Sequence, residues 1–127
     1  MSLKSDNLCH CGSQKSFETC CEPFLSGISL PATAEELMRS RYSAYVTRNV
    51  SYILETTSPE FRKYYNPKSI MEWAVNSTWI SLEILSSSEN RVKFVASYLD
   101  ENGSLMRHTE NSRFEKIAGR WYFMDGK

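Results

Sequence analysis

Cys9-His10-Cys11-Gly12-Ser13-Gln14-Lys15-Ser16-Phe17-Glu18-Thr19-Cys20-Cys21 holds all four cysteines of the chain, as a C-x-C pair, an eight-residue gap and a C-C pair. Zn²⁺ accepts four thiolates at about 2.3 Å in closed structural sites. Cys9, Cys11, Cys20 and Cys21 are therefore expected to be the ligands of a metal, with zinc as the cofactor. Disulfides and four unliganded thiols compete with this reading. Adjacent cysteines and C-x-C pairs bridge only under strain. The sequence also starts without a charged-then-apolar leader marking export, and a reducing cytoplasm disfavours disulfides. A zinc site in a cytoplasmic protein is the expectation.

The intervening residues suit such a loop. Gly12 can take the positive φ of a tight turn whose N–H groups face sulfur. Ser13 to Thr19 can make the helical turn that brings Cys20 and Cys21 back to the first pair. Lys15 can offset thiolate charge, Phe17 can cap the loop with apolar surface, and His10, a possible substitute ligand, is expected to face solvent.

The pattern C-x-C-G-S-x-K-S-F-x-x-C-C resembles the SEC-C motif, first known from the carboxy-terminal tail of the preprotein translocase ATPase. With the following Thr33-Ala34-Glu35-Glu36-Leu37-Met38-Arg39-Ser40-Arg41-Tyr42-Ser43-Ala44-Tyr45, it resembles the YchJ-like family. The likeness runs over nearly the whole chain, including His108-x-Glu110-x-Ser112-x-Phe114 and Gly119-Arg120-Trp121-Tyr122. It implies a SEC-C-type zinc knuckle and linker at residues 1–30 and a nuclear-transport-factor-2-like α+β domain at 31–127. In that cystatin-like cone, helices pack on a curved antiparallel sheet. No established reaction comes with the family. Gln14 stands where the motif usually has glycine.

A chain of 127 residues with 41% hydrophobic content can bury one compact core. Fifteen basic residues balance fifteen acidic ones, and no clustered basic face of the kind that captures nucleic acid is visible. No apolar run approaches the roughly 20 residues of a membrane span.

Met1 to Leu8 reads as a frayed polar start. Glu22 to Pro31 reads as a linker, with Phe24, Leu25, Ile28 and Leu30 fastening the knuckle to the body. Thr33 and Glu36 then form a capping box, and Ala34, Leu37, Met38, Tyr42, Tyr45 and Val46 make one helical stripe. Arg41 falls inside that stripe, where a cation must pair, stack or meet an anion; Arg39 lies off it and is expected in solvent. Asn49 can end this helix. Short helices are expected over 51–56 and 59–64, and a better one over 67–75 presenting Ile70, Trp73 and Ala74.

After Asn76 the period changes to two. Ile80, Leu82 and Ile84 face one way on a first strand, and Val92, Phe94, Ala96 and Tyr98 on a second. The third strand, 105–117, carries Met106, His108, Glu110, Ser112 and Phe114 on one face, and the fourth covers 120–124. Helices followed by a meander predict the α+β class. A three-residue loop Glu101-Asn102-Gly103 sets Tyr98 opposite Met106, Ala96 opposite His108 and Phe94 opposite Glu110; a two-residue turn would shift every pair and reverse the faces. An Ala118-Gly119 turn brings Phe114 near Phe123. Trp79, Leu85, Val95 and Leu99 are left on the outer face, as candidates for a homodimer contact.

The polar row His108, Glu110, Ser112 on a face meant for the core admits two readings. One is a satisfied internal network, such as Arg41 with Glu110 and His108 with Ser112 or a tyrosine. The other is a small-molecule or anion pocket lined by Arg41, Tyr45, His108, Glu110 and Ser112, with acid–base catalysis a further step. The favoured function is a zinc-stabilised binding protein whose knuckle docks a protein partner, by analogy with the translocase tail. It expects exposed side chains around His10, Lys15 and Phe17. The alternative is a cavity that binds a ligand or works as an enzyme, and a minor one is redox sensing through zinc release.

Overall fold

The computed structural model describes residues 8–127. The expected fraying of residues 1–7 lies outside the described residues; Leu8 itself forms an antiparallel bridge with Ser16. A 3-10 turn at Phe17–Thr19 precedes helix α1, Glu22–Leu25. The expected linker thus contains a helical turn, capped by Cys21 with Pro23 in its first positions. Phe24 and Leu25 pack against the core. Ile28 and Leu30 are 80% and 55% exposed, so only half of the four expected fastening residues act as such.

Helix α2, Ala34–Val46, begins where expected. Thr33 Oγ1 accepts from the Glu36 N–H at 3.1 Å, a cap whose loss costs about 1 kcal/mol. The returning Glu36 carboxylate accepts from Ala32 N–H rather than Thr33 N–H. α2 stops at Thr47, and Arg48 rather than Asn49 takes the left-handed conformation, at φ +62°. Asn49 instead caps helix α3, Val50–Glu55, by accepting from Tyr52 N–H. Helices α4, Pro59–Arg62, and α5, Pro67–Asn76, both start on proline, with Ser58 and Asn66 as caps.

The strands β1, Thr78–Ser87, β2, Arg91–Leu99, β3, Leu105–Ile117, and β4, Arg120–Gly126, form one antiparallel sheet in that order. The β2–β3 register is the one the three-residue loop requires: Tyr98 pairs with Met106, Ala96 with His108 and Phe94 with Glu110. The Asp100 carboxylate closes the loop by accepting from both Asn102 and Ser104 N–H, with Gly103 at φ +81°. Ala118 and Gly119 both turn through positive φ, and Phe114 pairs with Phe123.

β1 departs from simple alternation. Register shifts at Trp79/Ser81 and Ile84/Ser86 mark bulges, and a bulge moves a side chain to the other face. Ile80 is therefore 54% exposed, while Trp79, expected outside, is half-buried against the core. Val95, also expected on the open outer face, is buried; Leu85 is exposed and Leu99 half-buried.

α2 lies across the sheet, and Leu37, Ile53, Val92 and Phe114 are wholly buried between the layers; each such burial contributes about 1.5–3 kcal/mol. β4 is tied to the helices by Trp121 Nε1 donating to Ala32 O and by Phe123, which exchanges backbone hydrogen bonds with Thr56 and Ser58. Cys9, Cys11 and Cys21 belong to the same buried cluster. Among the described residues no helix is long and apolar enough to cross a membrane.

Candidate functional site

Two chemically distinct sets of side chains are brought together. The first is the cysteine cluster, whose four sulfurs lie within 4.8 Å of one another. Its loop is held by Cys9 N–H donating to Lys15 O at 2.7 Å, and it turns through positive φ at Gly12 and Gln14. Gly12 has a second reason to lack a side chain, because a Cβ there would stand 3.0 Å from Leu82 O of β1. The 3-10 turn at Phe17–Thr19, shorter than the helix expected from Ser13, is enough to return Cys20 and Cys21. All four cysteines are free thiols.

The donor set fits a tetrahedral ion. Four sulfurs about 2.3 Å from a common centre stand about 3.8 Å apart, and Cys11 and Cys20 Sγ are 3.7 Å apart. Without a cation, the crowded thiols force their titrations apart. Hydrogen bonds from Cys11 and Cys21 push Cys9 far down, hydrogen bonding with Cys11 and Cys9 pushes Cys21 far up, and burial raises Cys20 to about 11. A divalent cation among them removes that conflict.

The cation beside the cluster is Arg39, which the sequence pattern placed in solvent. Its Nη1 donates to Cys11 O at 2.7 Å and its Nε to Glu35 at 3.0 Å. Burial opposes its charge, but the Glu35 bond and the charge of Cys11 outweigh it and raise its pKa. Ser43 of α2 meets Cys9 Sγ at 3.6 Å and Ser13 meets Cys20 Sγ at 3.1 Å. His10 and Lys15 are exposed, while Phe17 is half-buried, tilted against the His10 ring and packed on the core.

The second set surrounds a cavity of about 160 Å³ between α2, α5 and the sheet. Arg41, Tyr45, His108, Glu110 and Ser112 all line it, with Trp73, Trp79, Tyr65, Phe94 and Phe123. Neither aromatic wall residue of β1 and α5 was assigned to a pocket by pattern, because the Trp79 bulge has no signature in the alternation and Trp73 reads as ordinary helical core. The rings of Trp73, Trp79 and Tyr45 meet one another at centroid distances of 5.2–5.7 Å. Gly126 was also missed: it pairs with Ser112, and a Cβ there would overlap the Glu110 carboxylate.

The polar contacts differ from the expected pairing. Glu110 is the hub: His108 Nε2 lies 2.8 Å from its Oε1, and Ser112 Oγ donates to its Oε2 at 2.6 Å. Burial pushes the Glu110 carboxyl up, but hydrogen bonds from His108 and Ser112 prevail and hold it below its ordinary value. The bond to Glu110 raises His108 against the opposing effect of burial. Arg41 does not pair with Glu110. Its Nη1 donates to Ile53 O, Thr56 Oγ1 and Thr57 Oγ1 at 2.8–3.2 Å, and its guanidinium stacks 4.4 Å over the Phe123 ring. Burial lowers its pKa and raises that of Tyr45, whose phenol stays neutral.

Residues 33–126 match the family model described as YchJ, middle NTF2-like domain. The UPF0225 protein GSU1048 of Geobacter sulfurreducens is 46% identical, with 94% of this chain and 78% of that protein aligned. The UPF0225 protein NTHI0386 of Haemophilus influenzae is 43% identical, with 92% and 75% aligned. The solution structure of RPA3114, a SEC-C motif containing protein from Rhodopseudomonas palustris, superposes with a TM-score of 0.87 at 39% identity, covering 94% of this chain and 97% of that one. The crystal structure of a SEC-C motif containing protein from Psychrobacter arcticus gives 0.75 at 28% identity, covering 93% and 80%. With a bulged four-stranded meander folded over its longest helix and a cysteine cluster set into the same core, the chain belongs to the YchJ family.

Proposed function

We propose that this chain is a cytoplasmic, zinc-stapled protein that binds a small molecule in the cavity beneath β3. The cavity carries the reading: it combines an apolar aromatic wall with a few convergent polar groups, the usual make-up of a ligand site. Zinc is the ion that four thiolates at tetrahedral spacing suit best. Cys9, Cys11, Cys20 and Cys21 would hold it, supplying folding free energy rather than chemistry. The free thiols favour a reducing compartment.

The knuckle as a dock for a protein partner is the second reading. The exposed His10 and Lys15 favour it. It has less apolar surface to offer than expected, since Phe17, Phe24 and Leu25 turn toward the core.

Native mass spectrometry of the purified chain tests the metal: one zinc per chain is expected, and disulfides in place of bound metal would overturn it. Thermal denaturation across a panel of small organic acids, amines and neutral aromatics tests the cavity, because a ligand that binds the folded state raises its apparent stability. A flat response across the panel counts against the cavity reading.

A further inference from the structure

Arg41 is 5% exposed and forms no salt bridge with any described residue. Its neighbours on the Nη1 side are a carbonyl and two hydroxyls, which satisfy hydrogens but carry no compensating charge. Its Nε and Nη2 make no hydrogen bond among the described residues, and neither is a sealed, unsatisfied atom. Arg41 also lines the cavity. The Glu110 carboxylate favours the charge of Arg41 only at a distance, without a direct ion pair, and a buried cation lacking a partner in contact is costly. A planar guanidinium edge with two free donors is shaped for a carboxylate.

The nearby carboxylate cannot serve that need. Glu110 is committed to His108 and Ser112, in a position that the missing side chain of Gly126 leaves open. The Trp73, Trp79 and Tyr45 rings line the same cavity and meet one another. The volume of about 160 Å³ compares with the roughly 150 Å³ of an engineered cavity that takes up benzene.

We propose that the cavity takes an aromatic monocarboxylate about the size of benzoate, its carboxylate on Arg41 Nε and Nη2 and its ring against Trp73, Trp79 and Tyr45. This rests on the small-molecule reading above and adds the sign of the ligand and its orientation. The polar edge at His108 and Glu110 then faces the far side of the ring, where it can receive a hydroxyl substituent.

The zinc-loaded full chain, titrated with benzoate, benzamide and benzylamine, separates the possibilities. Quenching of tryptophan fluorescence and the Arg41 Nε–H resonance report binding. Benzoate is expected to bind at least tenfold more tightly than benzamide and to move the Arg41 resonance, with benzylamine weaker than both. Equal or tighter binding of benzamide or benzylamine overturns the carboxylate assignment and leaves the small-molecule reading standing. Failure of all three probes to bind overturns the aromatic carboxylate, and the small-molecule reading falls with it if the wider panel is also flat. Arg41→Met should abolish the preference for benzoate. Should that variant not fold, Ala96→Leu, which fills the cavity from β2 and leaves Arg41 in place, must abolish benzoate binding; retained binding there places the acid elsewhere and overturns the proposal.

Discussion

The cysteine cluster and the β3 cavity both gather reactive side chains in one buried interior, and they differ in what is left between those side chains. In the cluster the four sulfurs converge to within 4.8 Å of one another, at a spacing that suits a single ion. Around the cavity His108 and Ser112 are spent on Glu110, yet about 160 Å³ stays open and one guanidinium has no ion pair in direct contact. Convergence without space points to a staple. Space beside an unspent charge points to a ligand. Lining residues alone would not have separated the two.

The comparison breaks first, and most strongly, at the staple. Cys20→Ser removes one of four thiols from a site sharing its core with α2, so a loss of about 4 kcal/mol or more is expected in urea denaturation. Hydrogen exchange should accelerate over residues 8–30 before the sheet responds. An unchanged midpoint, with and without chelator, would remove the structural role of the cluster.

Next comes the seam between the two regions. Gly12→Ala meets both a φ of +83° and the Leu82 carbonyl, and should cost about 2 kcal/mol. The same measurement at Gly103, with equally positive φ but nothing within 4 Å, should cost less. Equal losses at both would show that conformation alone matters and that the loop does not lean on β1.

Within the cavity, Gly126→Ala should displace the Glu110 carboxylate and cost about 1 kcal/mol. The informative readout is the His108 titration by NMR, which should fall toward its ordinary value as the Glu110 bond is lost. An unmoved titration would mean that Glu110 keeps its place without the glycine.

The smallest effect is a pH dependence. His108 is held above 6.5, so its contribution is whole below 6.5 and fades as pH rises through its folded value. Glu110 is held below 4.5, so its contribution is present above 4.5 and fades as pH falls through its folded value. The pair thus stabilises most between those limits, by about 0.5–1 kcal/mol because both groups are partly exposed to solvent screening. Glu110→Gln should flatten the stability profile on both flanks; a profile that stays as steep would assign it to other groups.

How much of this was written locally follows from the range of each contact. The Thr33 cap, the proline starts of α4 and α5, and the Asp100–Gly103 loop act over a few residues, so the helices and the β2–β3 register were legible. With that register came the common face of His108, Glu110 and Ser112. Arg39 was misplaced because its partner, the Cys11 carbonyl, lies 28 residues away and leaves no trace in helical periodicity. Trp79 was misplaced because a bulge shifts a whole face without changing composition. The pairing inside the row failed for a different reason: His108 and Ser112 flank Glu110 on one strand face and reach it from both sides, while Arg41 is drawn to the end of α3 instead. Gln14 at φ +67° supplies the physical reason for the glycine usual at that place, and shows that the loop tolerates the strain.

The backbone exchange between Phe123 and the Thr56–Ser58 segment has one more result. A meander ends in two unpaired margins, each a template for a stranger's chain. Here the β4 margin is already occupied at its middle by the protein's own coil, and the β1 margin is kinked by two bulges. Amyloid-like stacking and strand-swapped oligomers are thereby disfavoured at both ends of the sheet.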